Sequence, residues 1–406
     1  MRAPLIILIA VCFSSALKAD YVKVSRDAVI RAEGNSSATI IERVEAGTLL
    51  PLLSNELIGT GYLKVTTPLG KTGFIYKSWV RIIKGDIPAE TITPQTTNEL
   101  TTSGNLEVHV INVGQGDAII IRCPDGNHEM LIDAAELNAG FRYPGSQTEF
   151  RNYISAFQQE NNPIEVAIST HPHSDHIAGM SWVLSEYQVS LYVDNGMKNT
   201  SGTYGSLEQK IIDANINRKQ LNDSVIPDID FCPREDVNAR ILRPAGYDEE
   251  GMDPNDYSVI VRVDYGGSSF LFTGDAEREM EHKLMNDPET AALLDVDFLK
   301  VGHHGSHSSS DTTFLNVVTP TIAAISCGAE TVGTNVSHKH PRMVTVNNLI
   351  PYLGQRNGME TSLEAYNRSS GKWEVVSSKA ALYITNNDGD MIFLSDGSEI
   401  WRRGDR

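Results

Sequence analysis

Ser169-Thr-His171-Pro-His173-Ser-Asp175-His176-Ile-Ala-Gly179 decides the reading of this chain. Four metal-ligating side chains fall within six residues. The run before them, Ile164-Glu-Val-Ala-Ile-Ser169, is apolar and β-branched, as in a buried strand. The ligands therefore occupy a loop leaving a strand end. From there His171 and His173 can face one centre, and Asp175 and His176 a second. Imidazole and carboxylate suit zinc, with manganese or iron as alternatives.

The same pattern recurs along the chain. Apolar runs end in Asp133, His171 and His173, Asp275, and His303. Seven of the eleven histidines lie in three short stretches, 171–176, 303–304 and 338–340, so strand ends carry the polar chemistry to one sheet edge. Upstream, Leu106–Val113 alternates, Gly114-Gln-Gly116-Asp117 makes a tight turn, and Ala118–Arg122 and Glu129–Asp133 read as strands. Phe150, Ile154 and Phe157 share helical spacing over 147–160. Downstream, Leu191–Asn195, Val259–Val263, Ser269–Thr273, Phe298–Val301 and Ile322–Ser326 read as strands, and 276–287 as a Glu- and Lys-rich helix. This alternation predicts a layered α/β domain over 105–406.

The N-terminal part differs. Residues 1–19 have a basic start, the apolar run Leu5–Phe13 and a small-residue end at Ala19, which predicts a cleaved signal peptide and an exported protein, periplasmic or secreted. That apolar run is too short for a membrane span, and no other long one appears. Residues 20–84 carry short strands at roughly ten-residue intervals, as in a small all-β barrel. Residues 85–104 are Pro-, Thr- and Asn-rich and read as a linker.

The 406 residues carry a formal charge of −18, and loss of residues 1–19 takes away Arg2 and Lys18 and no acid, leaving −20. So acidic a chain disfavours non-specific nucleic-acid binding, while leaving nucleic acid open as a substrate met only at the site. Cys123, Cys232 and Cys327 form no regular framework. Buried thiols are the simpler reading, and one bridge of unassigned pairing the other.

These residues resemble the metallo-β-lactamase superfamily. The HxHxDH signature stands at His171, His173, Asp175 and His176. Thr273-Gly-Asp275 matches the bridging aspartate, Gly302-His303 the last histidine with His304 as the alternative, and Asp133 the supporting first aspartate. Val113-Gly-Gln-Gly-Asp117-Ala, Leu299-Lys-Val-Gly-His-His-Gly-Ser306 and the His338-Lys-His340-Pro loop are similar to the ComEC-type subgroup. Residues 20–84 resemble bacterial SH3-like domains through Val29-Ile-Arg31-Ala-Glu-Gly34 and Gly70-Lys-Thr-Gly73-Phe-Ile75. The resemblance implies an αββα sandwich behind a small SH3-like barrel, two divalent ions, and Asp275 bridging them. One ion falls to His171 and His173, the other to Asp175 and His176, with His303 or His304 completing the set.

Such ions generate hydroxide at neutral pH. Asp175 would orient it, and His338, His340 or Lys300 would stabilise charge on substrate or leaving group. Asp117 would support the site or only fix its turn. One departure stands out: no histidine lies between 177 and 274, where many members have one, and Asn255-Asp-Tyr-Ser258 occupies that region. The expected function is an exported metallohydrolase cleaving phosphodiesters. The alternatives are an envelope ester or amide hydrolase, with a β-lactam disfavoured, and a non-catalytic cell-wall binder using the β barrel on peptidoglycan.

Overall fold

The computed structural model describes residues 20–24, 28–35, 38, 40–44, 48–58, 61–67, 71–84, 104–135, 146–157, 162–221, 228–247 and 252–405. The expected signal peptide, and the linker apart from its last residue, lie outside them. The chain divides into two compact units, 1–99 and 100–406.

The smaller unit is all-β. Its strands form one antiparallel sheet in the order Ile40–Val44, Ala28–Arg31, Thr72–Tyr76, Tyr62–Thr66, Leu49–Ile58, Tyr21–Val24, Val80–Ile83. Alternating residues supply its core, among them Val22, Val24, Ile30, Leu50, Leu63, Val65 and Ile75. The strands at 40–44 and 80–83 were not anticipated from the sequence.

The larger unit is a metallo-β-lactamase αββα sandwich. One sheet has eight strands, in the order Arg218–Gln220, Val189–Asp194, Ile164–Ser169, Glu129–Ala134, Ala118–Arg122, Leu106–Val110, Met391–Ser395, Ile400–Arg402. The other has six: Val237–Leu242, Ile260–Tyr265, Ser268–Phe272, Phe298–Lys300, Ile322–Ile325, Leu382–Ile384. Period-two alternation builds the layers. Ile119, Ile121, Met130, Ile132, Val166 and Ile168 face the core shared with the second sheet. Ile120, Leu131 and Ala167 face the opposite way, onto helices Ser146–Phe157, Met180–Glu186 and Gly202–Asp213. Helices Arg278–Asn286, Thr312–Val318 and Met343–Leu349 add Met280, Leu284, Phe314, Leu315, Val346 and Leu349 to the same continuous apolar cluster as the second sheet. Burial on both faces explains why these strands read as nearly continuous apolar runs.

Two elements depart from the sequence reading. Cys123 and Cys232 are disulfide-bonded, and among the described residues Cys327 is the one free, buried thiol. The bridge joins the end of strand Ala118–Arg122 to the segment entering strand Val237–Leu242, so it staples one sheet to the other. A hairpin of Thr361–Asn367 and Lys372–Ser378 was also missed. Only Leu363 and Ala365 of it are fully buried, which leaves little apolar pattern to read.

Candidate metal centre

The signature loop leaves the strand Ile164–Ser169. His173 is extended and caps a four-residue helix, Ser174–Ile177, whose first turn carries Asp175 and His176. The loop rests on the Gly114–Gly116 turn. Asp117 N–H donates to the Asp175 carbonyl at 3.0 Å. A Cβ on Gly116, whose φ is +140°, would lie 2.4 Å from that carbonyl oxygen, so glycine lets the two segments close.

Asp133 occupies a bulge where pairing with Ala118–Arg122 shifts register, and its φ is +57°. This turns the buried carboxylate toward the loop. It accepts from Thr170 N–H at 2.7 Å and Thr170 Oγ1 at 2.8 Å, and holds His176 Nδ1 at 2.7 Å. His176 Nε2 is thereby aimed at Asp275 Oδ1, 3.3 Å away.

The second sheet supplies Asp275 and the 302–305 turn. His303 and His304 both have left-handed backbones, with φ of 46° and 52°. Successive left-handed residues throw their side chains apart. His304 is enclosed, with Nδ1 donating to the Ser326 carbonyl at 2.9 Å and Nε2 lying 3.4 Å from Asp275 and 3.6 Å from Asp175. His303 sits at the mouth, its Nε2 3.8 Å from Asp275 Oδ2 and its Nδ1 2.7 Å from Glu277.

Do these groups fit divalent ions? His176 Nε2, His304 Nε2 and Asp275 Oδ1 are buried without a hydrogen-bond partner, yet they converge. Polar atoms are rarely left so without a ligand to take them. Asp175, His176 and His304 offer ligand atoms within 4.8 Å of one another, as do His171, His176 and Asp275. His171 Nε2 lies 3.0 Å from His173 Nδ1, close to the roughly 3.3 Å separating two nitrogens on one tetrahedral ion. The residues fit two adjoining ions: His171 and His173 for one, Asp175, His176 and His304 for the other, and Asp275 between. His303 joins none of the sets within 4.8 Å among the described residues.

Charge leads to the same conclusion. Burial opposes ionisation throughout. Even so, His304, His176 and His303 hold Asp275 well below the usual carboxylate range. Burial likewise opposes a proton on His304, but Asp275 and its neighbours hold this imidazole well above its ordinary value. Asp275 and Asp133 do the same for His176. The carboxylates thus demand compensating positive charge, which divalent cations supply more fully than protons.

The remaining candidates fall in three places. Lys300, expected at the substrate, is enclosed below the centre. It is 1% exposed and donates to Asp117 Oδ2 at 2.8 Å and the Val301 carbonyl. Its role is to neutralise Asp117, whose other oxygen lies 3.5 Å from His304 Nδ1. His340 is also buried, its ring 28° from coplanar with that of His304, and burial followed by the neighbouring histidines presses its pKa down to about 2. It packs the turn as a neutral ring and does not reach out. His338 is exposed at the rim.

Ser258 explains the segment lacking a histidine. Its hydroxyl accepts from Asp275 N–H at 3.0 Å and lies 3.5 Å from His171 Nδ1, so it supports two ligands without being one. Glu277 escaped the sequence reading, though it stands only two residues after Asp275.

A sequence model described as the metallo-beta-lactamase superfamily matches residues 111–329. The chain belongs to that superfamily. It is 27% identical over 246 residues to ComE operon protein 3 of Bacillus subtilis (strain 168), covering 58% of this chain and 29% of that protein. It is also 27% identical over 228 residues to Recombination protein 2 of Haemophilus influenzae, covering 55% and 24%. The chain therefore spans less than a third of either relative's length. Among solved structures, a metallo hydrolase from Ignicoccus hospitalis shares 15% identity over 54% of this chain and 81% of its own, with a TM-score of 0.32.

Proposed function

We propose that the larger unit is a metal-dependent phosphodiesterase, acting on nucleic acid or a related phosphodiester outside the cytoplasm. The observation that carries this reading is the convergence of partnerless buried ligand atoms from both sheets on Asp275. When bound, divalent ions supply Lewis acidity and lower the pKa of water to roughly 7.

The protein's own groups do the rest. Asp175, beside His304, is placed to orient the attacking water. His303, backed by Glu277, is placed to return a proton to the leaving oxygen. The relatives named for the ComE operon and for recombination favour phosphodiesters in nucleic acid over β-lactams. The Cys123–Cys232 bridge favours an oxidising compartment, in keeping with the signal-like N-terminus. Among the described residues no helix is long and apolar enough to cross a membrane. The small β unit, by its SH3-like wording, is a candidate for holding the enzyme at peptidoglycan. Co-sedimentation of the full chain with insoluble cell wall tests that part.

Hydrolysis of bis(4-nitrophenyl) phosphate, single-stranded DNA and a chromogenic β-lactam, with zinc or manganese, tests the main reading. Phosphodiester cleavage that needs metal and is lost in Asp175→Ala is expected. No cleavage by protein of confirmed metal content would overturn it, and would leave an envelope ester or amide as the substrate.

A further inference from the structure

The chain has 52 acids against 34 Lys and Arg, yet cations gather beside the centre without acidic partners. Lys339, Arg342 and Arg368 pair with no carboxylate among the described residues. Lys339 Nζ instead donates to Tyr366 Oη at 3.3 Å and lies 4.6 Å from that ring's centroid. The Arg342 guanidinium lies 5.2 Å from the same centroid and donates to the His338 carbonyl at 2.6 Å. Both cations thus rest against the one Tyr366 ring, whose π face favours each. Arg368 occupies the exposed turn of the hairpin. Burial, then Arg342 and Arg368, hold the His307 imidazole below its ordinary pKa. Tyr366 pairs with Arg342 as an isolated bridge, and Arg368 follows two residues later in the same chain segment, so the backbone brings the two arginines to the same end of the hairpin.

This cluster is fixed to the centre. Arg342 N–H donates to the Gly305 carbonyl at 2.9 Å, Thr345 Oγ1 to the Ser306 carbonyl at 2.7 Å, and Tyr366 N–H to the Pro341 carbonyl at 2.9 Å. The turn presenting His303 and His304 and the strip carrying the cations are therefore one piece of structure. Crowding like charges costs free energy unless an anion offsets it. A single phosphodiester at the metal centre leaves that need unmet.

We propose that Lys339, Arg342 and Arg368 form an anion subsite for the phosphate neighbouring the scissile one, so that the substrate is a chain of repeated phosphodiesters. This rests on the phosphodiester reading above. Guanidinium groups suit the site because they bind phosphate oxygens in pairs and keep their charge at any working pH. Nucleic acid and glycerol-phosphate envelope polymers share the required chemistry.

The test compares the full chain with the Arg342→Gln, Arg368→Gln double variant, and with Arg368→Gln alone, since this exposed side chain makes no hydrogen bond or ion pair among the described residues. Kinetics use bis(4-nitrophenyl) phosphate, oligothymidylate and poly(glycerol phosphate). Anisotropy measures binding of labelled oligothymidylate and labelled poly(glycerol phosphate) in chelator, across a salt series. The double variant should raise KM for one polymer about tenfold more than KM for the small diester, and Arg368→Lys should keep most of the polymer affinity that Arg368→Gln loses. The slope of log affinity against log salt should fall by about 0.7 per lost contact. Whichever polymer responds names the source of the chain. Equal KM ratios and equal salt slopes in all proteins would overturn the subsite. If no phosphodiester is cleaved the function reading fails, while the binding series still decides the subsite.

Discussion

The two halves of the larger unit supply one centre by different means. The eight-stranded half presents His171, His173, Asp175 and His176 from a loop with ordinary backbone, extended at His173 and helical immediately after. A buried carboxylate, Asp133, sets the direction of His176. The six-stranded half presents its histidines from a turn in which His303, His304 and Gly305 all have positive φ. The two non-glycine residues, His303 and His304, cost about 1–2 kcal/mol each in this region and persist there only when their surroundings enforce it. Here Ser309 Oγ anchors the Gly302 carbonyl at 2.7 Å, and Arg342 N–H holds that of Gly305. In one half, side-chain spacing assigns the ligands. In the other, backbone conformation does, and two adjacent histidines point to different surroundings.

The sharpest way to break this contrast is to treat the neighbours as equals. His304→Ala should lose bound metal and lower kcat/KM for the small diester by about 10³ or more, whereas His303→Ala should keep its metal and lose about 10² through poorer proton transfer. Metal analysis beside kinetics separates the two. Equal metal loss in both variants would erase the distinction.

Next in size is the staple between the halves. Replacing Cys123 and Cys232 together with alanine opens a loop spanning a sequence separation of 109 residues. Urea unfolding of the oxidised protein and this variant should differ by about 4 kcal/mol.

A smaller effect lies under the strained half. Glu281 is buried, accepts from Ser310 N–H at 2.6 Å and has no partner for its other oxygen. Burial pushes its pKa up to about 8 from 4.5. The native acid keeps its proton up to that pH, while the unfolded chain releases it near 4.5. Stability therefore falls as pH climbs from 4.5 to 8. Glu281→Gln should remove that slope and add about 3 kcal/mol at pH 7, read from unfolding midpoints across pH. The smallest change expected is Asp133→Asn, which loosens the eight-stranded half: metal affinity should weaken by about 10–100-fold, by competition with a chelating dye.

What could be read beforehand follows the same divide. The buried strands were legible because apolar runs ending in Asp or His carry both fold and site on one pattern. The signature loop was legible because four ligands in six residues have few other uses. The choice between His303 and His304 was not, since it depends on dihedral angles that adjacent identical residues do not encode. Lys300 misled for a related reason. A lysine ending a buried strand suggests reach toward substrate, and only the fold reveals Asp117, far off in sequence, waiting beneath it. Likewise Cys123 and Cys232 flank strands of different sheets and pair only once those sheets stack. The basic strip was hidden because Arg342 and Arg368 come from separate elements joined by one pairing at Tyr366.

The central claim is that ligands from both halves make one centre bridged by Asp275. Zinc bound per chain after equilibrium dialysis, in the intact protein and in Asp275→Ala, tests it most directly. The account predicts about two ions in the intact protein and fewer than one in the variant. The same zinc content in both, or none in the intact protein, would contradict it.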